Sequence, residues 1–389
     1  MRLLLPLLAA ALVPATPAAA QPVDHQEMAH RVLTTTPLID GHNDLPYAIY
    51  QSAAAPGDVA APVHDLRTRT PFHTDIKRLQ EGMVGAQFWS VYIPYSAVEE
   101  GAAKRQLEQI DIALQVIERY PDVFALALDA PDVERVFASG RIASLLGMEG
   151  GHAIENSLGA LRAFHALGVR YMTLTHNGDL DWADTHAGAH PHGGLTEFGR
   201  DVVREMNRLG MLVDLSHTSP AVMNDALDVT EAPVIWSHAG ARAVTEHTRN
   251  VTDQVLRRLP DTGGVVMVVF NPPFVSTRAE ATLSDVADHI DHVASVAGVD
   301  HVGIGSDFDG IGEVPRGLED VSTFPALFAE LSRRGWSEAD LRKLAGENVL
   351  RVMREAEAVA RRLQRERPPS TRTIEELDGL RGGPRGGAR

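Results

Sequence analysis

The sequence predicts a (β/α)8 barrel, an α/β fold of the TIM-like kind, on three observations. Eight short apolar runs of strand length recur along the chain. Amphipathic helical patterns stand between many of them, and six of the eight runs finish on His, Asp or Glu. Strands alternating with helices make a parallel sheet covered by helices, and eight such units suggest that the sheet closes. An open doubly wound sheet is the competing architecture, but no Gly-rich phosphate loop follows the first run to support it.

In chain order, the N-terminus reads as an export signal. Arg2 precedes LLLPLLAAALVP, and ATPAAAQ then places small residues at Ala18 and Ala20, so residues 1–20 are expected to be cleaved near Ala20–Gln21. The apolar run is short for a bilayer span. An exported protein, periplasmic or secreted and free of a membrane anchor, is the expectation. The eight runs follow: PLIDGH to His42, VGAQFWSVYI from Val84, IASLLGMEG to Glu149, VRYMTLTH to His176, MLVDLSH to His217, APVIWSH to His238, GGVVMVVF to Phe270 and HVGIGSDFD to Asp307. Between them, SLGALRAFHALG puts Leu158, Leu161, Phe164 and Leu167 on one helical face. LTEFGRDVVREMNRLG does the same with Phe198, Val202, Met206 and Leu209, with Gly210 as the stop. SDVADHIDHVASVAG precedes the eighth run. QFWSVY, Gln87 to Tyr92, reads as barrel core. The barrel domain is assigned to 21–365, and the Pro/Gly/Arg-rich stretch 366–389 to a loose tail.

Hydrophobic residues make up 44% of the 389 residues and charged residues 23%, a globular balance with chain enough for a large core. A net charge of -16 argues against nucleic acid or an anionic membrane as partner. Cysteine is absent while histidine occurs 17 times. Disulfides and thiolate ligands are therefore excluded, and any metal must be held by His, Asp and Glu.

In a barrel of this kind, active sites form at the C-terminal ends of the strands. Buried strands gain nothing by ending systematically in ionisable groups, whose burial is costly. His42 and Asp44, two apart, share a face in extended chain and can bind one divalent cation together; taken alone, a His-x-Asp pair is better read as a solvent His beside a helix-capping Asp. Glu149, before Gly150 and Gly151, can approach a metal closely and bridge two cations with its two oxygens. His217 and His238 close successive runs with the same ending, SH, and read as a matched pair of ligands. His176 is assigned to substrate polarisation, since five groups already suffice for two metals sharing a carboxylate. Asp307 is the expected general base, taking a proton from a metal-activated water and passing it to a leaving amine; pattern alone does not separate it from Asp309. Arg249 is a candidate clamp for a substrate carboxylate. Asp40 reads as a carboxylate behind His42 that orients it, and His152 as a structural or supporting group. His186, His190 and His192 lie in a Gly/Pro/Ala-rich loop without a framework, and are read as a flexible rim loop rather than a metal site.

LIDGHNDLP, GAQFWSVYIP, GMEGGHAIENSLGALRAFHALGVRYMTLTHN, GGLTEFGRDVVREMNRLGMLVDLSH, APVIWSHAGAR, RNV and GIGSDFDG together resemble the membrane (renal-type) dipeptidase family, zinc dipeptidases of the amidohydrolase superfamily. The resemblance covers about residues 27 to 355 in order. It implies a metal-dependent hydrolase barrel with two Zn2+ per chain, one on His42 and Asp44, the other on His217 and His238, with Glu149 bridging. A hydroxide between the metals would attack the peptide carbonyl of a dipeptide. His176 would stabilise the oxyanion, Arg249 would hold the dipeptide's C-terminal carboxylate, and Asp307 would shuttle the proton. Mammalian members carry cysteines and a lipid anchor; this chain has neither. Asn271 and Phe274 stand where tyrosines are expected in some relatives, which bears on side-chain selectivity.

Two other readings stay open from sequence. A metal-dependent amidase or lactonase would keep the metals and change the substrate, although a lactone without a carboxylate has no need of Arg249. An exported peptide- or metal-binding protein on an inactive barrel is disfavoured because every presumed ligand and Asp307 are present. The same His and carboxylate donors suit manganese or cobalt as well as zinc. The oligomeric state is left open by the sequence; a homodimer is possible, homodimers being the commonest assembly.

Overall fold

In the computed structural model, residues 23–379 are described; the signal expected over 1–20 and the last ten residues lie outside them. Nine parallel strands form one sheet: β1 (Leu38–Asn43), β2 (Val84–Tyr92), β3 (Phe124–Leu126), β4 (Ile142–Glu149), β5 (Val169–Thr173), β6 (Leu212–Asp214), β7 (Ile235–Ala239), β8 (Val265–Val268) and β9 (Val302–Ile304). Eight of them close a barrel, because β2 pairs with β4 as well as β1, and β9 pairs back onto β1. The ninth, β3, is only three residues long and lies in the apolar run VFALAL, residues 123–128, which is not among the eight runs counted as strands. It pairs with the start of β4, from Phe124 opposite Ile142 to Leu126 opposite Ser144. β5 then takes over the same edge from Leu146 to Glu149.

The helices follow their sequence signals closely. Helix Glu197–Leu209 begins where the Thr196 side chain accepts the Gly199 N–H, and ends at Gly210, whose φ of 80° suits a residue without Cβ. Phe198, Val202 and Met206 are fully buried against the barrel, each contributing about 1.5–3 kcal/mol of transfer free energy. Helix Leu158–Ala166 starts on a Ser157 cap and stops one residue early. Leu167 therefore falls on its cap and is 42% exposed, against the expectation that it joins the buried face. A smaller apolar cluster joins Ile39, Phe88, Leu145, Tyr171, Ile235 and Met267 of the strands to Val349 and Met353 of the last long helix, Asn348–Glu366.

Two expectations need correction. Residues 366–379 do not form a loose tail. The Ser370 hydroxyl donates to Asp201, Arg372 pairs with the same carboxylate, and a short helix, Ile374–Asp378, follows. Asp378 accepts the Thr196 hydroxyl at 2.6 Å and the Phe198 N–H at 3.3 Å, while Ile374 is buried. Composition alone missed this because the segment is held by charge and capping groups, not by a large apolar face. Second, β5, β6 and β9 stop at Thr173, Asp214 and Ile304, three residues before His176, His217 and Asp307. His217 and Asp307 have φ of 63° and 68°, a left-handed conformation that cannot continue a ladder. The chain leaves the sheet there and turns these side chains over the barrel mouth. Among the described residues, no helix is long and apolar enough to cross a membrane.

Candidate metal centre

His42, Asp44, Glu149, His176, His217, His238 and Asp307, from six strand ends, meet at the C-terminal mouth of the barrel. Glu149 lies at the middle. Its Oε1 is 3.0 Å from His217 Nε2, 3.3 Å from His238 Nε2 and 3.9 Å from His176 Nε2, while its Oε2 is 3.5 Å from His42 Nε2. His42 Nε2 is also 3.2 Å from Asp44 Oδ2. Three overlapping sets of ligand atoms each fall within 4.8 Å: His42, Glu149 and His238; Glu149, His176 and His217; His42, Asp44 and Asp307. The third brings Asp307 against the His42 rim, and the second brings His176 as near as a ligand would be. Asp44 occupies the cap position of helix Leu45–Tyr50 but makes no side-chain cap bond; Asn43 accepts the Leu45 N–H instead. The Asp44 carboxylate is therefore left for the centre. Gly310 permits the crowding, since a Cβ there would stand 2.2 Å from Asp44 Oδ2 and 2.7 Å from Asp307 Oδ1.

The donor set fits divalent metal. His42 Nε2 and Asp44 Oδ1 are buried and have no hydrogen-bond partner, a costly state for polar atoms that a cation would relieve. Three imidazoles and two carboxylates suit zinc, manganese or cobalt. Burial, reinforced by neighbouring positive charge, holds His217 and His238 well below their ordinary range, in the neutral form that ligates metal. Burial also opposes charge on His42 and Glu149. For His42 the negative charge of the Asp44 and Glu149 carboxylates outweighs it and raises the imidazole; for Glu149 the surrounding imidazoles outweigh it and lower the carboxyl.

Each of the three candidate ligand rings is fixed from behind by a residue that sequence reasoning did not single out. Tyr171 crosses the barrel from β5 and places its hydroxyl 2.8 Å from His42 Nδ1 and 3.2 Å from the Gly41 carbonyl. Asn177 Oδ1 is 3.2 Å from His217 Nδ1, and Ser237 Oγ is 2.9 Å from His238 Nδ1. Asp40 has a different task from the one expected. It accepts the Ser306 N–H and hydroxyl, both at 2.7 Å, and a Gln87 amide bond at 3.0 Å; it reaches His42 only through its backbone N–H, at 3.4 Å. It ties β1 to β2 and to the segment that follows β9, and Tyr171 orients the ring. Asn177, next to His176, and the Ser before each SH histidine had a sequence signal in hindsight; mid-strand Tyr171 had none.

A cavity of about 490 Å³ opens over the centre. Arg249 lies in its wall, 2% exposed, with Nε and Nη1 unpartnered and its guanidinium 5.3 Å above the Phe274 ring. Burial lowers it to about 10, so it stays cationic at neutral pH. Asp307 and Asp309 separate clearly. Asp309 is occupied by His73, accepting its backbone N–H at 2.6 Å and returning its own N–H to the ring at 2.9 Å. The Asp307 carboxylate accepts no hydrogen bond from the described residues; burial, with Asp44 and Glu149 adding to it, raises Asp307 well above the carboxylate range. Tyr92, expected as core, lines the cavity with its ring 4.7 Å from His176. His152 is buried beside Tyr95, 5.8 Å between ring centres, and burial lowers it to about 4. The histidine loop is not a free rim: His190 bonds to the Thr185 carbonyl, and His192 to that of Leu180. His186 alone faces the cavity, 2.9 Å from the Thr248 hydroxyl, lowered to about 3 by burial and then by Arg249.

A closed parallel barrel carrying clustered imidazoles and carboxylates at its mouth is the architecture of a metal-dependent hydrolase. Residues 26–367 match the family model of the membrane dipeptidases, peptidase family M19. The chain belongs to that family and is a metallopeptidase of the dipeptidase type. Among solved structures, it is similar to dipeptidase AC, a metallo peptidase of family M19, with 31% identity over 83% of this chain and 99% of that one and a TM-score of 0.74. It is similar also to a metallo peptidase from Rhodobacter sphaeroides liganded with a phosphinate mimic of the dipeptide L-Ala-D-Ala, at 29% identity over 82% and 99% of the two chains, TM-score 0.74. The probable dipeptidase PvdM from Pseudomonas aeruginosa shares the fold at 23% identity, 86% and 99% coverage and TM-score 0.78.

Proposed function

We propose that this chain hydrolyses the peptide bond of dipeptides at a two-metal centre, one cation on His42 and Asp44, the other on His217 and His238, with Glu149 between them. The observation that carries the reading is the division of Glu149, whose two oxygens face different histidines, below a cavity that also holds a free carboxylate and an unpaired Arg. When bound, two divalent cations held by these residues would supply Lewis acidity, making water a better nucleophile near neutral pH and polarising the scissile carbonyl.

The chain's own groups do the rest. Arg249 takes the C-terminal carboxylate through its unpartnered nitrogens, which fixes the length of substrate that fits. His176, lowered by burial and so neutral, donates a hydrogen bond to the carbonyl oxygen as negative charge builds there. Asp307 accepts a proton from the attacking water. The new C–O bond forms, the C–N bond breaks, and the same proton leaves with the amine nitrogen; a carboxyl raised by burial is suited to carry it between the two. We infer further that the chain is exported by its N-terminal signal.

The test is a panel of L,L- and L,D-dipeptides, N-acyl amino acids and lactones, assayed before and after chelation and zinc return. Dipeptides should be cleaved only by the metal-loaded protein, and Asp307→Asn should reduce turnover by at least about 10²-fold with metal content unchanged. Full activity in chelated, metal-free protein would overturn the mechanism, and cleavage confined to lactones would overturn the substrate.

A further inference from the structure

The three ligand imidazoles are not held alike. His42 rests on the Tyr171 phenol and His217 on the Asn177 amide, both neutral groups. His238 rests on the Ser237 hydroxyl, and behind that hydroxyl stands a buried carboxylate. Asp214, at the end of β6, is 0% exposed and accepts four hydrogen bonds: from Ser237 Oγ at 2.6 Å, Thr173 Oγ1 at 2.5 Å, Ser237 N–H at 2.8 Å and Ser216 N–H at 3.1 Å. No cation pairs with it within 4.0 Å among the described residues. The one Ser237 proton goes to Asp214, which can only accept, so Ser237 Oγ must accept the His238 Nδ1–H at 2.9 Å. That fixes His238 in the tautomer whose Nε2 lone pair points at Glu149. It also passes a buried negative charge toward one ligand and not the other two.

We propose that Ser237, backed by Asp214, is a positioning pair that selectively sets the cation affinity of the His217/His238 half of the centre. The proposal rests on the two-cation reading above. A carboxylate relayed through a hydroxyl orients the ring and raises its basicity, and loss of such a partner typically weakens metal binding 10–100-fold. The effect should be confined to the cation shared by Glu149 Oε1, because the His42 ring has its own support. Ser237→Ala is a mild change, since the Ser237 backbone N–H keeps its bond to Asp214 Oδ1.

The experiment titrates metal-free protein with Zn2+ against a chromophoric chelator, and melts the same metal-free samples. Wild type should take up two equivalents. Ser237→Ala should keep one equivalent at wild-type affinity, bind the other about 10–100-fold more weakly, and melt in the metal-free state as wild type does. Ser237→Thr should restore the second equivalent, and Asp214→Asn should weaken the same one. Two equivalents of unchanged affinity in Ser237→Ala, or equal weakening of both, would overturn the proposal while leaving the two-cation reading intact. Failure of wild type to bind Zn2+ would instead sink that reading and this one with it.

Discussion

Arg249 is a cation buried without an ion-pair partner among the described residues, supported only by Phe274 below it and a 3.4 Å contact to the His238 carbonyl. Such a group costs stability in the empty protein, a cost that a bound substrate carboxylate, as proposed above, would offset. Arg249→Gln is therefore expected to raise KM for dipeptides about 10²-fold or more, with a smaller change in kcat, and to melt no lower than wild type. Arg249→Lys should not recover KM, because an ammonium cannot present two parallel donors. Equal KM in the variants would remove Arg249 from substrate binding. At this scale the sequence was most readable where a residue type is chemically scarce. His42, Asp44, Glu149, His217 and His238 stood out because ionisable groups are costly at strand ends. Tyr171 did not, because phenols occur in any core and only three-dimensional contact reveals which of them faces an imidazole; Asn177 and Ser237 adjoin candidate histidines in the sequence, but amides and hydroxyls are too common for that adjacency alone to mark them.

The elements carry the same lesson in another form. Periodicity located the helix over Glu197–Leu209, its Thr196 cap and its Gly210 stop, since each is written in neighbouring residues. Strand ends were placed about three residues too late at β5, β6 and β9, because the backbone turns out of the ladder there, at His217 and Asp307 through a left-handed conformation, which residue type alone does not show. The C-terminal clasp was missed because its partners are some 170 positions upstream. It makes a clear prediction. Asp378 sits at the N-terminus of helix Glu197–Leu209 and satisfies two donors there, where a carboxylate is favoured by the helix dipole. Asp378→Ala should lower unfolding free energy by about 1–2 kcal/mol, read as a lower urea midpoint. An unchanged midpoint would mean that the clasp contributes nothing to stability.

For the molecule as a whole, several histidines are buried in neutral form, and His289 is the clearest away from the metal centre. It accepts the Ala241 N–H at Nδ1 and bonds to the Val275 carbonyl through Nε2, which fixes the neutral tautomer. Burial lowers it from 6.5 to about 4. The unfolded chain therefore binds this proton first as pH falls. Its contribution is complete above pH about 6.5 and is lost progressively down to about 4, at up to about 1.4 kcal/mol per pH unit. His289→Gln should flatten the pH dependence of the urea midpoint over that window by about one proton, and an unaltered slope would exclude His289 from the acid response. Closure of the barrel was legible from eight repeated units; β3 was not, and β3 changes what closure means for one strand. With β2 along one edge and β3 followed by β5 along the other, β4 has ladder partners on both sides from its first residues to Glu149. A strand so enclosed can fray from neither edge. Its amide protons should meet solvent only when the whole barrel opens, which makes the carboxylate at the middle of the centre as durable as the fold itself.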